Sequence, residues 1–166
     1  MRRSDREVTD RQEILDILNK CDAIRLGINT SDYPYIVPMN FGVVDTKPSI
    51  ALYLHCASEG LKLDLIKKDN RVGFEADCSH RLIAADKACN YAMEYESVIG
   101  SGIASICEEN ELKKKGLQAI MRHYAPERDF DFTEQQLDSI CVLQVDVIQI
   151  TGKRLQTNIE ETQLLP

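Results

Sequence analysis

Three short segments of this chain carry residue types able to do chemistry. The first is His55-Cys56-Ala57-Ser58-Glu59-Gly60-Leu61-Lys62, which leads from an alternating apolar run into the start of a helical one. A helix N-terminus presents unpaired amides and a partial positive charge. With the Ser58 hydroxyl and the cationic donors His55 and Lys62 beside it, such a terminus suits a phosphate. The same residues also read as an ordinary capped helix with an exposed lysine, and caps of that kind are common. The second segment runs from Tyr33 to Val44. Tyr35, Val37, Met39, Phe41 and Val43 alternate onto one face, and Ile36, Pro38, Asn40 and Gly42 take the other. Pro38 cannot donate to a strand ladder, so it marks an edge or a bulge and frees backbone to face a ligand. Asn40 is a polar group on that strand. The third segment, Tyr95 to Gly102, alternates polar residues onto one face, which either meets solvent or lines a site.

The remaining candidates are weaker. His80 and His123 have no supporting constellation and are expected at surface or loop positions. The six cysteines (Cys21, Cys56, Cys78, Cys89, Cys107 and Cys141) include no CxxC pair. No apolar stretch of signal-peptide length follows the opening arginines, so the expected address is the cytoplasm and the expected state of the thiols is reduced. Most of the six have apolar neighbours, where cysteine packs as a small hydrophobe. Cys78, His80 and Cys89 match no common zinc-finger spacing and lack an obvious fourth ligand, so no metal is assigned.

The elements that must position these segments follow from periodicity. Thr9-Asp10-Arg11-Gln12 reads as a capping box opening a helix to about Lys20, with Ile14, Leu15, Ile17 and Leu18 on its apolar face. Strands are expected over residues 23–29, 33–44, 50–56, 71–77, 95–107 and 140–150. Helices are expected over about 58–68 and 108–124, with a short one opened by a second capping box at Thr133-Glu134-Gln135-Gln136. Residues 79–91 show no clean period and read as a long loop with room for a helical turn. Gly100 and Gly102 within one strand signal a bend, a bulge or a close backbone approach. The strands do not alternate with helices, which argues for a small antiparallel barrel with helices outside it and against a parallel doubly wound sheet.

Composition bounds the function. The chain has 166 residues, 43% hydrophobic, enough for one domain with its own core. A net charge of −7 argues against nonspecific nucleic-acid binding, which needs a basic surface. No run is long enough to span a bilayer, so no membrane partner is expected.

In order along the chain stand Pro34-Tyr35-Ile36-Val37-Pro38, then His55 through Gly60-Leu61-Lys62, then Tyr95-Glu96-Ser97-Val98-Ile99-Gly100, and finally Gly152-Lys153. This ordered set resembles the flavin-binding split-barrel proteins related to pyridoxamine 5'-phosphate oxidase, and within them the nitroimidazole-resistance group. The resemblance covers roughly residues 8 to 154. It implies an α+β fold built on a six-stranded antiparallel split β-barrel with peripheral helices, in a single domain over residues 1–154; the residues after it, 155–166, read as a polar tail. It implies a homodimer holding FMN at the subunit interface. The flavin ring would lie against the backbone of Val37, Pro38, Met39 and Asn40. His55, Ser58 and Lys62 would hold the phosphate, and Ser97 and Val98 would border the site. The implied activity is electron transfer from reduced nicotinamide or another donor, through the flavin, to a small-molecule acceptor such as a nitroaromatic. No catalytic side chain is assigned, although His55 is placed to supply a proton. The chain lacks the arginine-rich phosphate grip and the tryptophan of true pyridoxamine phosphate oxidases, and residue 61 is leucine where relatives often carry a basic residue. Vitamin B6 oxidation is therefore not expected. The alternative is a non-catalytic flavin- or haem-binding protein of the same fold, with His55 or His123 as the iron ligand, or one that holds a deazaflavin.

Overall fold

The computed structural model describes residues 3–156. Eight strands occur among them: β1 (Glu7–Val8), β2 (Ile24–Ile28), β3 (Tyr35–Met39), β4 (Phe41–Asp45), β5 (Ile50–Cys56), β6 (Arg71–Ile83), β7 (Ala92–Cys107) and β8 (Cys141–Leu155). Four α-helices accompany them: α1 (Arg11–Lys20), α2 (Leu61–Lys68), α3 (Asn110–Tyr124) and α4 (Glu134–Asp138). No helix among the described residues is long and apolar enough to cross a membrane.

All strand pairs are antiparallel. They form one sheet in the order β3-β2-β6-β7-β8-β5-β4, with β1 added against β8. The two ends of that order, β3 and β4, are consecutive in the chain and separated by Asn40 alone. Two edges joined by one residue must meet, so the sheet curls on itself. It closes at the Asn40 corner and opens where β3 and β4 diverge. This is the expected split barrel, in which Pro38 sits on an edge strand paired only to β2.

The strand count exceeds the expected six for two reasons. The run over 33–44 is broken at Asn40, because the Phe41 amide leaves the ladder and donates to the Tyr124 hydroxyl at 3.1 Å. The two-residue β1 carries too little pattern to read from sequence. Two further expectations are corrected. The cap of α1 is Asp10 and not Thr9: its carboxylate accepts the Glu13 amide at 3.0 Å. Residues 79–83 are not loop, because β6 continues to Ile83, and a single helical turn follows at Ala88–Asn90. A bulge between Cys78 and Arg81 breaks the alternation there, and Ser79 takes a positive φ of 58°. The Thr133 capping box forms as expected, with Gln136 reciprocating. The expected tail lies outside the described residues beyond Gln156, and its first residue, Leu155, belongs to β8.

Inward residues of the curled sheet, among them Leu26, Phe41, Leu52, Leu54, Phe74, Val98, Leu143 and Val145, form the main core. The apolar face of α1 and the Leu63 and Ile66 side chains of α2 join that same cluster. A second cluster lies on the other face of β5 and β8, where Tyr53 and Val142 meet Leu117 and Ile120 of α3 and Leu137 of α4. Strand β5 is thus buried on both faces, which explains its unbroken apolar run. Backbone contact is closest at Gly42, where an added Cβ would lie 2.3 Å from the carbonyl carbon of Ala119, so any side chain there would push α3 off the sheet. At Gly102 an added Cβ would lie 2.4 Å from the Asp146 carbonyl oxygen. The register shifts beside it and leaves Ile148 of β8 without a partner. The glycine signal in the sequence therefore marked a real bulge and a close approach.

Candidate functional site

The barrel corner and the exit of β5 face a common cleft. Strand β3 ends at the corner with Pro38 and Met39, followed by Asn40. Strand β5 ends with His55 and Cys56, and the chain passes through Ala57, Ser58 and Glu59 into α2. Pro38, Met39, Asn40, His55, Cys56, Ala57 and Lys62 line one cleft of ≈ 440 Å³ together with Ile140, the residue before β8. Two segments singled out separately in the sequence therefore meet.

Local sequence explains why α2 begins here. Gly60 stands at its N-cap with φ 135°, a conformation that L side chains rarely adopt. Its carbonyl accepts the Leu63 amide at 2.9 Å, and no side-chain cap closes the turn. The amides of Leu61 and Lys62 have no intrahelical partner and point out of the helix start. The helix carries Lys62 on its first turn, half-buried, while Leu61 is 58% exposed. Among the described residues, the side chains of Asn40, His55, Ser58 and Lys62 make no hydrogen bond or ion pair with the rest of the protein. Four polar groups converge on one helix start and edge strand with their bonding capacity unspent.

The electrostatics are mildly cationic. Burial pushes the Cys56 thiol up to about 11, its neighbour Cys141 adds to the rise, and the Lys62 ammonium opposes it. Lys62 therefore exerts its field within the cleft wall. At neutral pH Cys56 is a protonated thiol, which contributes no negative charge against an anion.

The other expected site residues lie apart in this chain. Val37 precedes Pro38 on β3, half-buried against the core. Ser58 stands in the exposed bend before α2, beside the cleft but not among its lining residues. Ser97 is on β7 opposite Asp77 and Lys153, and Val98 is fully buried in the barrel interior. Neither touches the cleft.

Sequence reading missed three contributors. Ile140 reaches the cleft only through the pairing of Cys141 with Cys56, a long-range register that no local signal announces. Tyr124 and His123, at the end of α3, hold the corner. The Tyr124 hydroxyl accepts the Phe41 amide and donates to the Asp22 carbonyl at 2.8 Å. His123 is not the expected surface residue. It is half-buried, its Nε2 lies 2.8 Å from the Cys21 carbonyl, and its ring packs on Phe41 at 4.6 Å between centroids. A ring nitrogen facing a carbonyl must carry the proton, so Nε2–H donates. His80 is exposed as expected, on β6, with its Nε2 2.7 Å from Asp77. All six cysteines are unpaired, and no group of three metal-binding side chains occurs among the described residues.

Comparison with known proteins places this geometry. Over 89% of the chain and 86% of its counterpart, the fold matches a proposed 5-nitroimidazole antibiotic resistance protein from Bacteroides thetaiotaomicron VPI-5482, with a TM-score of 0.77 and 34% identity. The flavocytochrome Anf3 from Azotobacter vinelandii matches over 99% of this chain and 78% of its own, with a TM-score of 0.76 and 16% identity. The FAD and heme binding protein from Mycobacterium smegmatis matches over 94% and 78%, with a TM-score of 0.79 and 16% identity. At 16% identity these last two speak for the fold alone. No curated protein matches. The family model for pyridoxamine 5'-phosphate oxidase matches residues 10–154, which takes in both walls of the cleft. The chain belongs to the pyridoxamine 5'-phosphate oxidase family.

Proposed function

We propose that the cleft holds the phosphate end of FMN and that the protein is a flavin-dependent oxidoreductase acting on a small acceptor, nitroaromatic compounds among them. One observation carries the reading. His55 and Lys62 converge with the open start of α2 on the same cleft as the free edge of β3, and none of these groups is used by the fold. A phosphate accepts from several donors at once, and an uncapped helix start beside a lysine supplies them. A flavin bound there would supply the redox chemistry, and the protein would position it and set its electrostatic surroundings. The edge of β3, with Pro38 lacking an N–H, offers backbone to a flat ring. His55, exposed at the rim, is placed to hold the phosphate or to deliver a proton.

The nitroaromatic acceptor is suggested by the Bacteroides relative, described as a proposed 5-nitroimidazole antibiotic resistance protein and 34% identical. The working form in this reading is a homodimer. Ser97 and Val98 lie away from the cleft of their own chain, and nearby on the outer face of β7 and β8 Ile99 is 52% and Ile148 66% exposed. An apolar sheet face of that kind suits a second copy. Light scattering should return a dimer mass, and a monomer that still held flavin would refute this part.

The haem alternative narrows to His55. His123 has its Nε2 committed to the Cys21 carbonyl and its Nδ1 buried, so it offers no nitrogen to iron. The experiment that tests the proposal is the visible spectrum of freshly purified protein, with the released chromophore identified by mass. A two-band yellow spectrum and released FMN support it. A haem Soret band without flavin, or a colourless protein that ignores added FMN, refutes it.

A further inference from the structure

Cys56 and Cys141 are direct partners in the antiparallel pair of β5 and β8. Direct partners project their side chains from the same face of the sheet. Their Cα atoms stand about 4.5 or 5.5 Å apart according to the type of pair, and a disulfide spans about 4.4–6.8 Å between Cα atoms. Cys56 is the last residue of β5 and Cys141 the first of β8, so both sit where the ladder ends and small backbone adjustments disturb no later pair. Cys56 lines the cleft, and so does Ile140, the neighbour of Cys141. Cys107 is also a neighbour of Cys141, but on the opposite face of the sheet. It packs in the outer cluster under α3, whereas Cys141 belongs to the barrel interior.

We propose that Cys56 and Cys141 form a reversible dithiol switch in the cleft wall, which hydrogen peroxide converts to a cross-strand disulfide that weakens ligand binding. The Cys56 sulfur attacks one peroxide oxygen, the O–O bond breaks, and water leaves as a sulfenic acid forms. The Cys141 sulfur then attacks the Cys56 sulfur, the S–S bond forms, and the hydroxyl departs as a second water. Two thiol hydrogens and one peroxide are consumed: the peroxide takes two electrons from the Cys56 sulfur in the first step, and the second step is a substitution that leaves each sulfur oxidised by one electron overall. The oxidant is at hand in one further respect, which rests on the flavin reading above: a reduced flavin that meets dioxygen releases hydrogen peroxide. Drawing Cys56 towards Cys141 displaces the strand exit that carries His55 and leads through Ser58 to α2, so the anion donors lose their common aim. By linkage, a ligand in the cleft must in turn disfavour the disulfide.

The raised pKa of Cys56 keeps the thiol protonated at neutral pH, which makes the conversion slow and restricts it to sustained exposure. Cys21 and Cys78 make a second thiol neighbourhood, since the Cys21 Sγ donates to the Ile17 carbonyl at 3.2 Å and the Cys78 Sγ lies 3.9 Å from the same oxygen. Cys21 is buried and Cys78 half-buried, but Cys21 caps the end of α1 while Cys78 lies on β6, so no ladder register sets the Cα spacing that a disulfide needs.

The test is peptide mapping of the full-length folded protein after hydrogen peroxide treatment, without reductant, beside an FMN titration of the same sample. The expected result is one linked peptide pair containing Cys56 and Cys141. FMN binding should weaken by about five- to tenfold and recover with dithiothreitol. Cys141→Ala should abolish both the link and the change in affinity. Should that variant not fold, the dithiothreitol reversal on the unaltered protein decides alone. Oxidation of Cys56 without a link to Cys141, a link to a different cysteine, or a disulfide that leaves FMN affinity unchanged overturns the proposal. The map needs no flavin, so a Cys56–Cys141 link in a protein that never binds flavin would refute the flavin reading and, with it, the effect of the link on binding, whereas flavin binding without any such link would overturn the switch alone.

Discussion

The two ends of β8 treat polar groups in opposite ways. At the far end Glu96, 1% exposed, is fully engaged. Its carboxylate accepts from Lys20 at 2.9 Å, from the Ser79 hydroxyl at 2.8 Å and from Arg154 at 2.7 Å, while Arg154 also reaches Glu13 at 3.1 Å. That network ties α1, the β6 bulge, β7 and β8 together. At the near end, around Cys141, the polar side chains of Asn40, His55, Ser58 and Lys62 touch no protein partner, and Asn40, His55 and Lys62 converge on a cleft. The difference separates structure from function. Buried charge must be satisfied by the fold, whereas convergent unspent donors at a rim cost little in water and are what a ligand requires.

Breaking the far end should have the largest effect. Glu96→Gln leaves Lys20 and Arg154 without their carboxylate, and unfolding in urea should show a loss of about 2–4 kcal/mol. The pH dependence follows from the same group. Burial pushes the Glu96 pKa up, but the Lys20, Ser79 and Arg154 hydrogen bonds outweigh it and hold the carboxyl below its ordinary 4.5. A lowered folded-state pKa contributes stability above the unfolded value and loses it as pH falls through the folded one. The gap between wild type and Glu96→Gln should therefore be full at neutral pH and shrink on acidification below 4.5. A constant gap would contradict the network.

The near end should respond in the other observable. Lys62→Ala removes a charge-assisted contact worth about 1.5–3 kcal/mol, so FMN affinity should fall by that amount while urea stability barely moves. Equal affinity for the variant would remove Lys62 from the site.

Tyr124→Phe sharpens the contrast from between the two ends. It removes the acceptor for the Phe41 amide and the donor to Asp22, so a loss of about 1–2 kcal/mol of stability is expected. Weaker flavin binding should accompany it, because the Asn40 corner loses its pin. Stability loss with unchanged flavin affinity would show that the corner does not position the ligand.

The smallest effect is expected at Arg25, which bridges Glu75 at 3.0 Å and Asp77 on an exposed strand face. Arg25→Ala should cost under about 1 kcal/mol. A loss comparable to Glu96→Gln would mean that pairing, and not burial, sets the difference between the regions.

Much of this was legible in the sequence because it is local. The apolar run of Ile50 to Leu54, the Thr133 capping box and the glycines of β7 each encode their own structure. So did Pro38, whose missing donor confines it to an edge. Residues 79–91 resisted reading because the bulge at Ser79 shifts the alternation by which a strand is recognised. Asn40 looked like one more strand residue because the event that breaks the strand, a hydrogen bond from Phe41 to Tyr124, joins residues far apart in the chain. The site divides in the same way. His55, Ser58 and Lys62 were visible as a strand-to-helix exit, and Val37 to Asn40 as an edge. That His55 and Lys62 face Pro38, Met39 and Asn40 depends on barrel closure, and Ile140 and His123 enter only through it.

The most direct test of the central claim is a paired titration of the protein with FMN and with riboflavin, which differs from FMN in lacking the phosphate, repeated on Lys62→Ala. If the cleft grips a phosphate, the protein should favour FMN by at least about tenfold, and Lys62→Ala should narrow that preference while leaving riboflavin affinity nearly unchanged. Equal affinity for the two flavins, or a preference that survives the loss of Lys62, would contradict it.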